Sequence, residues 1–304
     1  MRIIYMGTPE FAVPGLQLLV ENGYNIVAVI TAPDKPQGRG LKLGETPVKT
    51  YATAQGLRIL QPEKLKDPTF IEELQSLKAD LQIVVAFRML PEMVWNMPPL
   101  GTFNLHASLL PQYRGAAPIN WAIINGEKQT GVTTFFLKHE IDTGEILLQE
   151  NEAISEKDTA GTLYESLMHK GASLILKTVR QIESGNLKQT PQIFNEILKS
   201  APKIFKEDCE INWNKSALEI KNFVQGLSPY PTAHTKINGL YCKIFEVEIA
   251  PKSIKDGSFE TDSKTYLEVG TSKASIAIQT IQVEGKRKME IKDFLLGNKI
   301  ISVG

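Results

Sequence analysis

"RIIYMGTPEFAVPGLQLLVENGYNIVAVIT", residues 2–31, decides the fold. Its outer segments, "RIIYM" (2–6) and "NIVAVIT" (25–31), are apolar almost throughout. A strand that shows one face to water alternates, whereas one covered on both faces reads as a continuous apolar run. Between them "PEFAVPGLQLLVENG" (9–23) has helix length. Thr8 suits its N-cap, Pro9 its first position and Gly23 its stop. Pro14, near the first turn, delays or bends the start. Strand, helix, strand of this kind make a parallel unit.

The alternation continues outward. A long connection (32–47) and a helix (48–56) lead to the short strand "RIL" and the helix "PTFIEELQSLKA". "DLQIVVAF" (80–87) and "GTFNLHA" (101–107) are further strands, "PINWAIING" (118–126) a helix, and 130–137 and 144–154 strands. A long amphipathic helix spans 159–185. Such alternation predicts an α/β parallel-sheet N-terminal domain whose ligands bind beyond the carboxyl ends of the strands. After about 186 the chain turns polar, Pro-interrupted and Lys-rich, which suits a linker. Beyond a helix near 216–226 come short alternating strands such as "LYCKIFEVEIA" (240–250) and "ASIAIQTIQVEG" (274–285), as expected of a small C-terminal β-barrel. The expected division is 1–188, linker 189–206, and 207–304.

With 304 residues, 42% hydrophobic and 22% charged, the chain has the material for two ordinary globular domains. It contains no apolar run of bilayer-spanning length. The N-terminus reads as a first strand and not a signal peptide. Cys209 and Cys242 lack metal-ligand spacing, and a reducing cytoplasm is the expected location. Net charge is zero, but residues 1–198 carry 18 Lys+Arg against 21 Asp+Glu, and residues 199–304 carry 16 against 13. That asymmetry runs in the direction expected if the C-terminal part contacts a polyanion; chance is the simpler account.

In "FNLHASLLPQYRGAAPINW" (103–121), Asn104 and His106 are two apart on a strand and share a face. Alone, such a pair is more often a satisfied buried contact. Here it stands at a strand end before a turn-rich loop. Asp142, in "KHEIDTGEIL" (138–147), is by itself a turn residue before Thr143-Gly144. If it reaches His106, the three supply an amide donor, an imidazole and a carboxylate, a set suited to attack of an amine on an acyl carbon. No nucleophile elbow surrounds Ser108. Gly7-Thr8-Pro9-Glu10-Phe11 lacks the spacing of a dinucleotide loop, no P-loop occurs, and no histidine cluster supports a metal. The loop 32–47 carries Lys35, Arg39 and Lys42, with Lys49 just beyond. It reads equally as a solvated surface loop or as a grip on a phosphate backbone.

Taken with "MGTPEFAVPGL", "PDKPQGRGLKL" and "GLSPYPTAHT" (226–235), these motifs give the chain a resemblance, over nearly its whole length, to the 10-formyltetrahydrofolate-dependent formyltransferases. Within them it resembles those acting on initiator methionyl-tRNA in translation initiation. The resemblance implies a Rossmann-like catalytic domain and an OB-like, tRNA-binding β-barrel joined by an extended linker. It implies Asn104, His106 and Asp142 as the catalytic set, and Ser108, Leu109, Leu110 and Pro111 as folate-binding. Val85, Ala86 and Phe87 would line the pterin pocket, and the loop holding Lys35, Arg39 and Lys42 would meet the acceptor end of the tRNA. Formylfolate is then a co-substrate, with no metal, membrane or obligate protein partner. "AFRMLP" (86–91) departs from the "AYG" segment of many relatives. Another folate formyltransferase, a formylfolate hydrolase, or an RNA-binding protein with a disused catalytic domain are the alternatives.

Overall fold

A computed structural model describes residues 1–37, 42–193 and 197–304. The chain forms two compact units. The first comprises Met1–Arg114, Gly131–Glu152 and Tyr164–Ser200; the second comprises Gly115–Thr130, Ala153–Leu163 and Ala201–Gly304. Each is therefore assembled from separated stretches. Among the described residues no helix is long and apolar enough to cross a membrane.

The opening strand is β1 (Arg2–Gly7), but Pro9 caps only a short 3-10 turn, Glu10–Ala12. Helix α1 (Val13–Glu21) begins after it, with Pro14 in its first turn, where the missing N–H is harmless. Then follow β2 (Asn25–Ile30), β3 (Lys35–Gln37), β4 (Lys42–Gly44), α2 (Pro47–Ala54), β5 (Ile59–Leu60), α3 (Pro68–Ser76), β6 (Leu81–Val85), α4 (Glu92–Trp95) and β7 (Thr102–His106). The chain continues through β8 (Arg114–Gly115), α5 (Pro118–Ile124), β9 (Gln129–Phe136), β10 (Ile146–Ala153) and α6 (Ala160–Glu183). The main sheet has the order β10-β9-β7-β6-β1-β2-β5. β7, β6, β1, β2 and β5 are parallel, as the continuous apolar runs predict. β9 runs antiparallel to β7, with His106 opposite Thr133 and Phe103 opposite Phe136.

Both faces of this sheet are covered. Ile4, Met6, Ala28, Ile30 and Val84 pack with Phe70 and Leu74 of α3 and with Val94 of α4. Against the other face, α6 approaches β7 so closely that a methyl group on Gly171 would stand 2.6 Å from Leu105. Thr178 of α6 hydrogen-bonds Thr134 of β9 at 2.8 Å. Leu105 being committed to the α6 side, alternation sends Asn104 and His106 to the α3 side, at the carboxyl end of the parallel strands.

Within the loop 32–47, β3 and β4 pair antiparallel as a two-stranded hairpin ladder, Lys35 opposite Gly44. Its root is locked. Thr31 and Thr46 share a hydrogen bond of 2.7 Å, and Gln61 Nε2 donates to Asp34 Oδ1 at 2.8 Å. Lys49 pairs with both Asp34 and Glu45. Asp34 holds its carboxylate below the ordinary range through its hydrogen bonds from Lys49 and Gln61.

Past β11 (Ser200–Ala201), which pairs with β8, the second unit holds α7 (Ala217–Leu227), β12 (Ala233–Ile237), β13 (Leu240–Ala250), β14 (Phe259–Thr261), β15 (Leu267–Gly270), β16 (Ser275–Val283), β17 (Met289–Glu290) and α8 (Ile291–Leu296). The strands form an antiparallel sheet ordered β12-β13-β16-β15-β14, with β17 beside β16. Ile220, Val224 and Leu227 of α7 and Phe294 of α8 fill its apolar face, together with Cys209, Trp213 and Cys242. Burial raises both thiols above their ordinary value, so they behave as small apolar residues. α5 packs on α7: Asn120 Nδ2 donates to Gly226 O at 2.7 Å, and Gly226 leaves room for Ile124.

Candidate functional site

β7 ends on His106, which is 6% exposed, while Asn104 is half-buried. His106 Nε2 lies 2.8 Å from the carbonyl of Tyr113. A carbonyl only accepts, so Nε2 carries the hydrogen, and Nδ1 is the nitrogen left for proton exchange. Nδ1 faces Asp142 Oδ2 at 3.9 Å. Among the described residues no hydrogen bond engages the Asn104 side chain. A strand-end amide with its N–H groups uncommitted is available to a ligand.

Asp142 arrives by an unexpected route. Because β9 is antiparallel to β7, it ends beside Phe103, and Leu137 N donates to Thr102 O at 2.8 Å. The loop then folds back toward His106. Phe136 N donates to Glu145 O at 3.0 Å, which closes the loop base. Asp142 itself stands at φ +54°, in the left-handed region. Gly144 passes so near β9 that a Cβ there would lie 1.6 Å from Phe136 O, which fixes glycine at that position.

The segment after His106 is a built turn. Ser108 is fully buried and its hydroxyl donates to Gln112 O at 2.6 Å, which leaves no free nucleophile. Thr133 Oγ1 donates to Ser108 O at 2.6 Å and accepts from Leu110 N at 3.2 Å and Gln149 Nε2 at 2.9 Å. Gln149 Nε2 also donates to Leu110 O at 2.9 Å. Leu109 packs over Gly131, and Pro111 continues the turn. Val85 is buried at the end of β6, Ala86 turns the chain at φ +46°, and the Arg88 guanidinium lies 5.5 Å above the Phe87 ring. A cleft of about 830 Å³ opens beside this segment, between Leu65 and Lys66 on one side and Met89, Leu90, Glu92 and Met93 on the other. Asn104, His106 and Asp142 do not line it.

Tyr113, Thr133, Gln149, Arg114 and Gln192 bear on the site without having been legible in the sequence. Gln192 Nε2 donates to Asp142 O at 2.9 Å and to Gly144 O at 2.8 Å, and its Oε1 accepts from Arg114 Nη2. Burial lowers the Arg114 pKa, with the charges of Asp142 and Glu140 acting in the opposite sense. Of the three cations expected on the hairpin, Lys35 is exposed, Lys42 belongs to β4, and Arg39 lies outside the described residues. Lys49 is committed to its ion pairs. Among the described residues no group of three or more His, Cys, Asp and Glu side chains is placed to hold a metal.

A strand-end amide, an imidazole and a carboxylate are thus carried by one end of this doubly covered sheet. Residues 1–179 match the formyl transferase model and residues 203–299 the formyl transferase C-terminal domain model, so the chain belongs to the formyl transferase family. The methionyl-tRNA formyltransferase of Phocaeicola vulgatus is 57% identical over 309 residues, covering 98% of this chain and 95% of that protein. That of Bacteroides fragilis is 53% identical over 308 residues, with the same coverage. Among solved structures, the N-formyltransferase of Helicobacter canadensis, in complex with folinic acid and dTDP-3-aminofucose, shares the fold. Its TM-score is 0.69 at 23% identity, with 91% of this chain and 98% of that one covered.

Proposed function

We propose that this enzyme transfers the formyl group of 10-formyltetrahydrofolate to the α-amine of methionine on initiator methionyl-tRNA, in the cytoplasm, without a metal. The observation that carries the reading is the pairing of an unengaged Asn104 amide with a His106 whose Nε2 is occupied by Tyr113 O and whose Nδ1 faces Asp142. The likeness to methionyl-tRNA formyltransferases, which runs over nearly the whole chain, supports the acceptor.

The amine attacks the formyl carbon, and negative charge develops on the formyl oxygen. Asn104 donates its amide N–H to that oxygen. His106 Nδ1 takes the proton that the amine loses, and Asp142 stabilises the resulting imidazolium. The same proton passes to the folate nitrogen as the carbon–nitrogen bond breaks, so formylmethionyl-tRNA and tetrahydrofolate leave with atoms and charge balanced. Ser108, Leu109, Leu110 and Pro111, with Val85, Ala86 and Phe87, would supply the folate-binding walls and backbone groups. Lys35, Arg39 and Lys42 would meet tRNA phosphates. Residues 1–188 would act as the catalytic domain, 189–206 as linker and 207–304 as an OB-like tRNA-binding domain.

Asn104→Ala and His106→Ala are expected to lower kcat by about 100-fold or more with folate binding largely kept. The assay offers labelled formylfolate with charged initiator tRNA, charged elongator methionyl-tRNA or glycinamide ribonucleotide in separate reactions. Near-normal turnover in both variants would refute the site. Label moving to glycinamide ribonucleotide or only to water would keep the site and change the acceptor.

A further inference from the structure

We propose that Gln192, on the segment that follows the long helix α6, is a positioning residue for Asp142. The inference rests on the reading that Asp142 works with His106. Gln192 is 8% exposed, and its side-chain amide is fully occupied. Both Nε2 hydrogens go to the loop carrying Asp142, one to Asp142 O at 2.9 Å and one to Gly144 O at 2.8 Å. Its Oε1 takes a hydrogen bond from Arg114, which fixes which way the amide faces.

That loop needs an external clamp. Asp142 is a non-glycine residue in the left-handed region, its neighbour Ile141 is 60% exposed, and the loop reaches His106 only after folding back from the far end of β7. The segment bearing Gln192 is itself anchored: Thr190 and Ile146 exchange backbone hydrogen bonds of 2.8 and 2.9 Å. Further along, Lys199 O accepts from Tyr113 N at 2.6 Å, and Tyr113 O is the group that holds His106 Nε2. One linker thus braces the partners of both imidazole nitrogens. Leucine at 192 would keep the shape and remove both hydrogen bonds to the loop, and glutamate would set a carboxylate oxygen against the two carbonyls.

The test is a cycle of Gln192→Leu, Asp142→Asn and the double variant in the full-length enzyme, with formylfolate and charged initiator tRNA as substrates. Asp142→Asn keeps the backbone carbonyl that Gln192 holds. Q192L is expected to lower kcat by about 10-fold with both KM values within about twofold, because a small misplacement of a reacting group acts on the chemical step. Added to D142N, it is expected to lower kcat by less than about twofold, because its effect passes through the carboxylate. An equal loss in both backgrounds would make Gln192 a merely structural residue, and a Q192L enzyme of normal kcat would also overturn the proposal. Near-normal turnover in D142N alone would instead remove the role of Asp142, and the clamp's purpose with it. Should Q192L fail to fold, Gln192→Asn, which keeps the amide on a shorter stem, is read through the same cycle.

Discussion

At the scale of single residues, the turn after His106 hangs on one hydroxyl. Thr133 sits directly across from His106 and its Oγ1 is saturated: one hydrogen bond donated to Ser108 O, and two accepted, from Leu110 N and Gln149 Nε2. Valine has nearly the same shape but removes the partner of the buried Ser108 O and Leu110 N, while the exposed Gln149 keeps its bond to Leu110 O, a loss of about 1–3 kcal/mol. Thr133→Val is therefore expected to lower the unfolding midpoint in denaturant. It should also raise KM for formylfolate more than for tRNA if the Ser108–Pro111 turn holds the folate. Thr133→Ser, which keeps the hydroxyl, should recover most of both effects. A valine variant with wild-type stability would mean that the turn finds other partners.

At the scale of elements, α7 shows how local chemistry stabilises a helix that the second core depends on. Ser216 and Glu219 form a reciprocal cap: Ser216 N donates to Glu219 Oε2 at 3.0 Å, and Glu219 N to Ser216 Oγ at 3.3 Å. Ser216→Ala is expected to lower stability by about 1 kcal/mol. These bonds, led by that from the Ser216 hydroxyl, pull the Glu219 carboxyl down from 4.5 to about 2. A carboxylate depressed in the folded state adds stability that is complete above its unfolded value and fades as pH falls toward the folded one. The melting temperatures of wild type and Glu219→Gln should thus converge as pH drops from about 5 toward 2; a constant gap would place the effect elsewhere. The helix near 216–226 and the apolar runs of β1, β2 and β6 were legible in the sequence, because each is decided by neighbours within a few residues. So was the shared face of Asn104 and His106, fixed by strand alternation. The antiparallel course of β9 was not legible, since alternation carries no sign of direction. For the same reason the doubled-back path of Asp142 and its hold by Gln192, fifty residues further along the chain, belong to tertiary structure alone. Pro9 also opened only a 3-10 turn, and the three-residue strands β3 and β4 were too short to show a period.

At the scale of the whole molecule, the chain is neutral, yet residues 199–304 carry 16 Lys+Arg against 13 Asp+Glu and residues 1–198 carry 18 against 21. A surplus this small cannot hold a tRNA by bulk attraction; any grip on phosphate must come from particular cations. Each cation that displaces a condensed counterion adds about 0.7–0.9 to the slope of log affinity against log salt. KM for charged initiator tRNA is therefore expected to rise steeply with salt, while KM for formylfolate changes little. Replacing Lys35, Arg39 or Lys42 with alanine should reduce that slope by about one each if each meets a phosphate. Lys49 supplies the internal control. It lies beside the same hairpin, but its ammonium is engaged by Asp34 and Glu45 and its side chain is only 17% exposed. Lys49→Ala should thus lower stability at the hairpin root and leave the salt slope unchanged. A slope that fell with Lys49→Ala and not with Lys35, Arg39 or Lys42 would transfer the phosphate contact from the hairpin to its root, and the ion pair with Asp34 would then have to open for the tRNA to bind.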